Sequence, residues 1–317
     1  MKTLPFTNQD QMPAIGLGTW KSKPGEVRDA VYTAIEAGYR HIDCAPIYGN
    51  EKEVGEGISK AIADGHAKRE ELWVTSKLWN SAHRRNAVLP ALQQTLADLG
   101  LEYLDLYLIH WPVAHKDGVV NPASGNDFLS LEQLPISETW EGMEEAAGQG
   151  LARHIGVSNF HLGRVQELVN GSRIPPEMNQ VELHPFLPQQ QLLEGCRKLG
   201  VHLTAYSPLG SGDRATGMKA ADEPSLLSHT LVKEIAEMRG ATPGQVLIQW
   251  AVQRGTAVIP KSVNPGRIRE NLAAAQVGLQ PEDVKLLDQI GQAYRFIDGT
   301  FWTREGSPYT LKDLWGE

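Results

Sequence analysis

Asp43, Tyr48, Lys77 and His110 stand at, or just beyond, the ends of three short apolar runs: Tyr39–Asp43, Leu72–Lys77 and Leu104–His110. Brought together, they can donate a proton to a carbonyl that is receiving a hydride. A tyrosine hydroxyl titrates near ~10, too weak an acid to help much at neutral pH. A lysine ammonium close by favours the phenolate and is expected to lower that value. A carboxylate paired with the lysine keeps it in place and charged. A histidine donating to the carbonyl oxygen orients it and stabilises the negative charge that develops there. The expected roles are Tyr48 as general acid, Lys77 as its tuner, Asp43 as the partner of the lysine, and His110 as the group that positions the carbonyl. Singly, each has a plainer reading as a helix cap, a surface charge or half-buried packing; four at consecutive strand ends favour chemistry. His41, two residues before Asp43, makes a His-x-Asp pair of the kind seen in metal-dependent barrel hydrolases. No second histidine pair accompanies it, so it reads as a buried barrel residue and no metal is expected.

These residues meet only if the runs are neighbouring parallel strands. Eight candidate strands are present: Ala14–Gly18, Tyr39–Asp43, Leu72–Lys77, Leu104–His110, His154–Val157, Asn179–Leu183, His202–Tyr206 and Ala257–Pro260. Most are apolar throughout their middles, as parallel strands covered on both faces should be. Helical spacing lies between them, in Val27–Ala37 and Ala87–Leu99 for example, with Gly38, Gly100, Gly150 and Gly200 where helix ends are expected. A strand–helix unit repeated eight times is the signature of an α/β fold of the (β/α)8 TIM-barrel type, whose chemistry sits at the C-terminal strand ends. The expected organisation is one barrel domain over residues 1–317. A hairpin (Leu4–Phe6 with Met12–Ala14) lies at the N-terminus, a long loop at Val113–Ser137, and an aromatic-rich C-terminal covering loop at 294–317.

The net charge of −8 argues against a nucleic-acid or anionic-membrane partner. No apolar run approaches the ~18–20 residues of a membrane span, and the N-terminus has no secretory h-region. Cys44 and Cys196 form no CxxC pair and read as reduced thiols of a cytoplasmic protein. Without a coiled-coil pattern or long exposed apolar seam, a monomer is expected.

A dinucleotide fingerprint is missing, because Gly16-Leu-Gly18 continues as Thr-Trp-Lys. The barrel's own phosphate site remains, built from the last two strand-end loops. Tyr206–Ser211 and Lys261–Arg267 supply backbone N–H groups, two cations and a helix start; a pair of capped turns is the alternative reading.

Eight segments together resemble the aldo-keto reductase family over nearly the whole chain: GLGTW at Gly16–Trp20, GYRHIDCAPIY at Gly38–Tyr48, WVTSKLW at Trp73–Trp79, LDLYLIHWP at Leu104–Pro112, GVSNF at Gly156–Phe160, NQVELHP at Asn179–Pro185, AYSPLG at Ala205–Gly210 and IPKSV at Ile259–Val263. The family's catalytic Asp–Tyr–Lys–His set falls on Asp43, Tyr48, Lys77 and His110. The resemblance implies an NADP-dependent aldehyde reductase, reducing aldehydes and some ketones to alcohols with NADPH/NADP+ as cofactor. It further implies that Ser158, Asn159 and Gln180 hold the carboxamide, Tyr206 stacks on the nicotinamide, and Leu209 and Ser211 line the pyrophosphate. Lys261, Ser262 and Arg267 would meet the 2′-phosphate or the adenine face, with Glu270 and Asn271 on the adenine. Gly18, Thr19, Trp20, Asp43, Ser207, Val263 and Asn264 complete the expected cofactor contacts. Two cations at Lys261 and Arg267 favour NADPH over NADH, because a 2′-phosphate needs cationic partners.

The substrate is expected to be a small carbonyl compound. Its pocket is expected above Tyr48 and His110, walled by Trp20, Trp79 and Trp111, with Phe128, Phe301 and Trp302 contributed by the two covering loops. Arg304 reads as a surface arginine ahead of a partner for a substrate carboxylate. Two other functions share these features: an aldolase-type barrel forming a Schiff base on Lys77, and a non-catalytic NADPH-binding sensor or subunit.

Overall fold

A computed structural model describes residues 2–316; Met1 and Glu317, the outermost residues of the expected domain and of its covering loop, lie outside the described residues. The strands are β1 (Thr3–Pro5), β2 (Gln11–Pro13), β3 (Leu17–Gly18), β4 (His41–Asp43), β5 (Trp73–Leu78), β6 (Leu104–Ile109), β7 (Ala114–His115), β8 (Phe128–Leu129), β9 (Ala152–Ser158), β10 (Met178–Glu182), β11 (His202–Tyr206) and β12 (Ala257–Val258). Eight of them form one parallel sheet in the order β3-β4-β5-β6-β9-β10-β11-β12. The sheet closes on itself: Ile15 bridges Val258, Gly18 bridges Lys261, and Val258 N donates to Ala14 O at 2.7 Å. The result is the expected (β/α)8 barrel. Every residue of β5 and β6 is buried, as the apolar runs require.

The strand expected at Ala14–Gly18 is regular only at Leu17–Gly18, because its first half spends its hydrogen bonds on barrel closure. The helix Glu26–Ala37 buries Val27, Ala30, Val31, Ala34 and Ile35, and Arg85–Leu99 buries Val88, Leu92, Leu96 and Leu99. Each ends at a glycine in the left-handed region, Gly38 at φ 107° and Gly100 at φ 65°. Three helices fall outside the eightfold rhythm among the described residues: Thr230–Arg239 and Pro281–Asp288, which Arg239 joins through Asp283 at 2.7 Å, and the short Leu311–Trp315.

The β1–β2 hairpin closes the N-terminal end of the barrel. Its Phe6 ring lies 4.8 Å from Trp73, 4.5 Å from His154 and 5.2 Å from His202, residues at or near the starts of three barrel strands. Beneath it, His154 is clamped between Glu177 (2.6 Å, Nδ1) and Asp10 (3.1 Å, Nε2). The 113–137 loop is more regular than expected: β7 and β8 pair antiparallel, and the Tyr309 hydroxyl ties them to the C-terminal segment, accepting from Ala114 N (2.9 Å) and donating to Leu129 O (2.7 Å). That segment is docked, with Trp302, Tyr309 and Leu314 buried.

Candidate functional site

At the other end of the barrel the parallel register delivers the ionisable residues to one place. Asp43 ends β4, Lys77 lies in β5, His110 follows β6, and a single 3-10 turn, Pro46–Tyr48, folds Tyr48 back over them. The Lys77 ammonium is wholly buried and has three partners: Asp43 Oδ1 at 2.6 Å, Cys44 O at 2.8 Å and Tyr48 Oη at 3.3 Å. Gln180 Nε2 holds the second Asp43 oxygen at 2.7 Å. Burial works against the lysine charge, but Asp43 and Tyr48 together outweigh it and keep Lys77 above the ordinary lysine range. A lysine so saturated, charged and enclosed is a poor amine nucleophile, which weighs against the Schiff-base reading.

The phenol departs from expectation. Burial pushes Tyr48 up to about 12; Lys77 pulls it down but does not overcome that burial. Tyr48 therefore rests protonated, and the lysine limits the rise rather than producing a net fall. His110 lies far below the ordinary histidine range, because it is buried and the Lys77 charge opposes a second cation. It is thus a neutral imidazole. Its Nδ1 is buried with no partner. An orphaned N–H is costlier than an orphaned lone pair, which assigns the proton to Nε2 and leaves a donor on the ring. The Tyr48 and His110 rings meet edge to face at 5.9 Å.

Both open on a cavity of about 950 Å³. Trp20, Trp79, Trp111, Phe301 and Trp302 wall it beside Tyr48 and His110. Ser158, Asn159, Gln180 and Tyr206 line its middle, and Gly18, Thr19, Ser207, Leu209 and Ser211 flank them. Lys261, Ser262, Val263, Arg267, Glu270 and Asn271 line its far end. Two expected residues stand elsewhere. Phe128 lies behind the wall, against Trp302 and Tyr309, because the β7–β8 pairing turns it inward. Asn264 caps the helix Pro265–Ala273, its Oδ1 accepting from Arg267 N at 3.0 Å. Arg304, read as a surface group, lines the cavity instead. Nη1 donates to Pro122 O (2.8 Å) and Nε to Phe301 O (3.2 Å), leaving the Nη2 donors free of these contacts.

The spacing of residues did not disclose a clasp across the cavity's middle. Asp213 bonds the ammonium of Lys21 and lies 3.3 Å from that of Lys261, while Lys21 also donates to Ser211 at 2.6 Å. Strain marks the same region: of six non-glycine residues with positive φ among the described residues, Lys21, Asn159, Ser207 and Ser211 all line the cavity.

The far end suits a nucleotide. Asn271 is only 5% exposed, lines the cavity and makes no side-chain hydrogen bond among the described residues. A Cβ placed on Gly244 would lie in ordinary contact with Thr242 Oγ1, Asn271 Oδ1 and Glu270 Oε1 at 3.8–4.0 Å, so polar oxygens border this glycine at the cavity wall. Arg267 has no ion-pair partner among the described residues and lies on the first turn of a helix, where anions are favoured. In the middle, Gln180 commits its Nε2 to Asp43, and Asn159 commits its Nδ2 to His110 O and Ser158 Oγ and its Oδ1 to the Tyr206 hydroxyl. Gln180 Oε1 is left to accept from a ligand amide.

Comparison with known proteins gives a consistent answer. The sequence profile of the Aldo/keto reductase family matches residues 14–292. An aldo/keto reductase of Synechocystis sp. is 51% identical over all of this chain and 97% of its own length. Human aldo-keto reductase family 1 member A1 is 45% identical over 90% of this chain and 88% of its own. Among solved structures, a Bombyx mori aldo-keto reductase in complex with NADP superposes with a TM-score of 0.86 at 39% identity, covering 97% of this chain and 98% of that one. The aldose reductase of Schistosoma japonicum gives 0.88 at 38% identity, covering 98% and 99%.

Proposed function

The chain belongs to the aldo/keto reductase family, and from that premise we propose that it reduces aldehydes, and some ketones, to primary and secondary alcohols with NADPH, Tyr48 supplying the proton. Bound in the cavity, NADPH supplies the hydride that adds to the carbonyl carbon. The chain's own residues handle the oxygen. His110 Nε2–H and the Tyr48 hydroxyl face the cavity from adjoining positions and hold the carbonyl oxygen between two donors. As the C=O becomes C–O–H, the Tyr48 proton passes to that oxygen. Lys77, 3.3 Å from the phenolic oxygen, stabilises the phenolate left behind, and solvent returns the proton. Asp43, held by Gln180, keeps the ammonium charged throughout.

For the cofactor, Lys261 and Arg267 take the 2′-phosphate and Glu270, Asn271 and Thr242 frame the purine. Ser158, Asn159 and Gln180 take the carboxamide beside the Tyr206 ring. The indoles of Trp20, Trp79 and Trp111 exclude water from the reacting carbon. Arg304 adds a preference for aldehydes that carry a carboxylate, its Nη2 donors being the charged group offered to that part of the cavity.

The observation that carries this reading is the hydrogen-bonded chain Asp43–Lys77–Tyr48, charged at its centre and ending in a protonated phenol on the cavity wall. The test is NADPH consumption followed by absorbance against short, aromatic and carboxylate-bearing aldehydes. Turnover by the wild type and its loss in Tyr48→Phe with cofactor affinity retained is the expected result. Tight NADPH binding with no turnover across the panel would favour the sensor alternative.

A further inference from the structure

Between Ser211 and Ser225 the strap after β11 is exposed almost throughout, and Arg214 is its one buried residue. The Arg214 side chain is wholly inaccessible, and its guanidinium reaches out of the strap into the C-terminal segment. Nη1 donates to Phe296 O at 3.1 Å, Nη2 bonds the Glu223 carboxylate, and the guanidinium carbon lies 5.2 Å from the centre of the Phe296 ring. Phe296 is gripped from the barrel as well. Glu182, the last residue of β10 and fully buried, accepts from Phe296 N at 2.6 Å and from Ile297 N at 2.7 Å. Ile297 lines the cavity, and Phe301 and Trp302 follow in the 3-10 turn Thr300–Trp302. Directly before Arg214 stands Asp213, whose carboxylate clasps Lys21 and Lys261 across the cavity.

Two loops with different tasks are thus joined by one side chain. The strap residues that close over the cavity's middle cannot swing out without withdrawing Arg214 from Phe296. Withdrawing Arg214 is costly and strips Phe296 of the bond to its carbonyl and of the cation over its ring, leaving Glu182 as its polar anchor, so the Phe296–Ile297 segment loosens as the strap opens. We propose that Arg214 is a positioning residue that makes the substrate wall depend on the strap: with the strap closed, Phe296–Ile297 and the Phe301–Trp302 wall are held in place; with it open, they relax. Arg214 does not line the cavity, and acts on aldehyde selectivity through Phe296. The inference rests on the reductase reading above.

The strap is also a segment of low local stability, since Arg214 supplies its main buried anchor before Leu226. Coupling of this kind changes both ends in one variant, because a free energy that links two sites is shared by both.

The experiment uses the full chain and compares Arg214→Met, Arg214→Lys and wild type. Two quantities are read: the NADP+ dissociation rate, by stopped-flow tryptophan fluorescence, and KM at saturating NADPH for a bulky aromatic aldehyde and for propanal. Arg214→Met should speed NADP+ release about tenfold and raise KM for the aromatic aldehyde about fivefold or more, with propanal moving less than about twofold. Arg214→Lys should recover part of both. Faster release with an unchanged KM ratio, or a changed ratio with unchanged release, overturns the coupling. If Arg214→Met does not fold, Glu223→Gln decides: the same paired shift at smaller size supports the proposal, and either shift alone, or neither, overturns it. Wild-type turnover on both aldehydes is measured alongside. Its absence would sink the reductase reading, whereas normal turnover with uncoupled variants would sink this inference alone.

Discussion

Both ends of this barrel carry a hydrogen-bonded triple centred on a buried basic side chain, and only one of them is built to react. At the floor, His154 lies between Glu177 and Asp10, stacked on Trp73 and covered by Phe6. At the rim, Lys77 lies between Asp43 and Tyr48. The two histidines near these triples shift in opposite directions. Burial lowers both, but the two carboxylates reverse the sign at His154, whereas the Lys77 ammonium deepens the fall at His110. At the floor both histidine nitrogens are paired, a hairpin covers the barrel end, and only a small pocket of about 230 Å³ touches His154 and Glu177. At the rim the triple ends in a phenol with a proton to give, beside an imidazole with an orphaned nitrogen, facing a cavity of about 950 Å³. A saturated triple stabilises; a triple with one open valence, facing a cavity, can do chemistry.

The largest effect that separates them is on turnover. Tyr48→Phe should lower kcat by ~10² or more and leave the melting temperature within about 2 °C, because only a hydroxyl at a cavity wall is lost. His154→Gln should leave kcat within about twofold, the floor being remote from the carbonyl. Steady-state kinetics and thermal unfolding on both variants test the contrast. A loss of turnover in His154→Gln comparable to that in Tyr48→Phe would erase the distinction between rim and floor.

Next comes the far end of the cavity. Arg267→Ala should raise KM for NADPH about tenfold and KM for NADH less than about threefold, the loss of one charge-assisted contact to a phosphate. Lys261→Ala should affect both cofactors, because its ammonium also meets Asp213 in the clasp. Equal losses for NADPH and NADH in Arg267→Ala would overturn the 2′-phosphate assignment.

The rim was far more legible in the sequence than what surrounds it. Asp43, Lys77 and His110 end apolar runs, and a parallel barrel sends such ends to one face, so local pattern and topology agreed. The Asp213 clasp was not legible, because Lys21 and Asp213 are 192 residues apart and neither spacing nor composition pairs them. Arg304 and Phe128 were not legible for a related reason: covering loops lack a period, so Phe128 is turned inward by the β7–β8 pairing and Arg304 is held by Pro122 O and Phe301 O. The direction of the Tyr48 shift was not legible either, because residue types reveal the charge nearby but not the burial that opposes it.

A smaller effect tests the substrate side of the rim. Arg304→Met keeps the apolar stem and removes the charge. It should lower kcat/KM for a carboxylate-bearing aldehyde about tenfold and leave an uncharged aldehyde of equal length within about twofold. A uniform drop for both would make Arg304 a prop for Pro122 and Phe301 rather than a substrate contact.

The smallest effect belongs to the floor and fixes its sign. Burial disfavours the His154 charge, yet Glu177 and Asp10 raise its pKa above the ordinary 6.5, so its contribution is fully present below that value and is lost as pH rises through the raised one. Burial likewise disfavours the carboxylates, yet Asn8 and His154 lower Asp10, and His154 and Thr7 lower Glu177; their contribution is present above the ordinary 3.8 and 4.5 and fails as pH falls through the lowered values. The clamp is therefore strongest between the ordinary carboxylate and histidine ranges. His154→Gln should melt about 2–4 °C below wild type near pH 6, and the gap should narrow as pH approaches about 9. A gap of constant size across that range would mean that His154 acts through packing against Phe6 and Trp73 alone, and the floor would then hold no ionic counterpart to the rim.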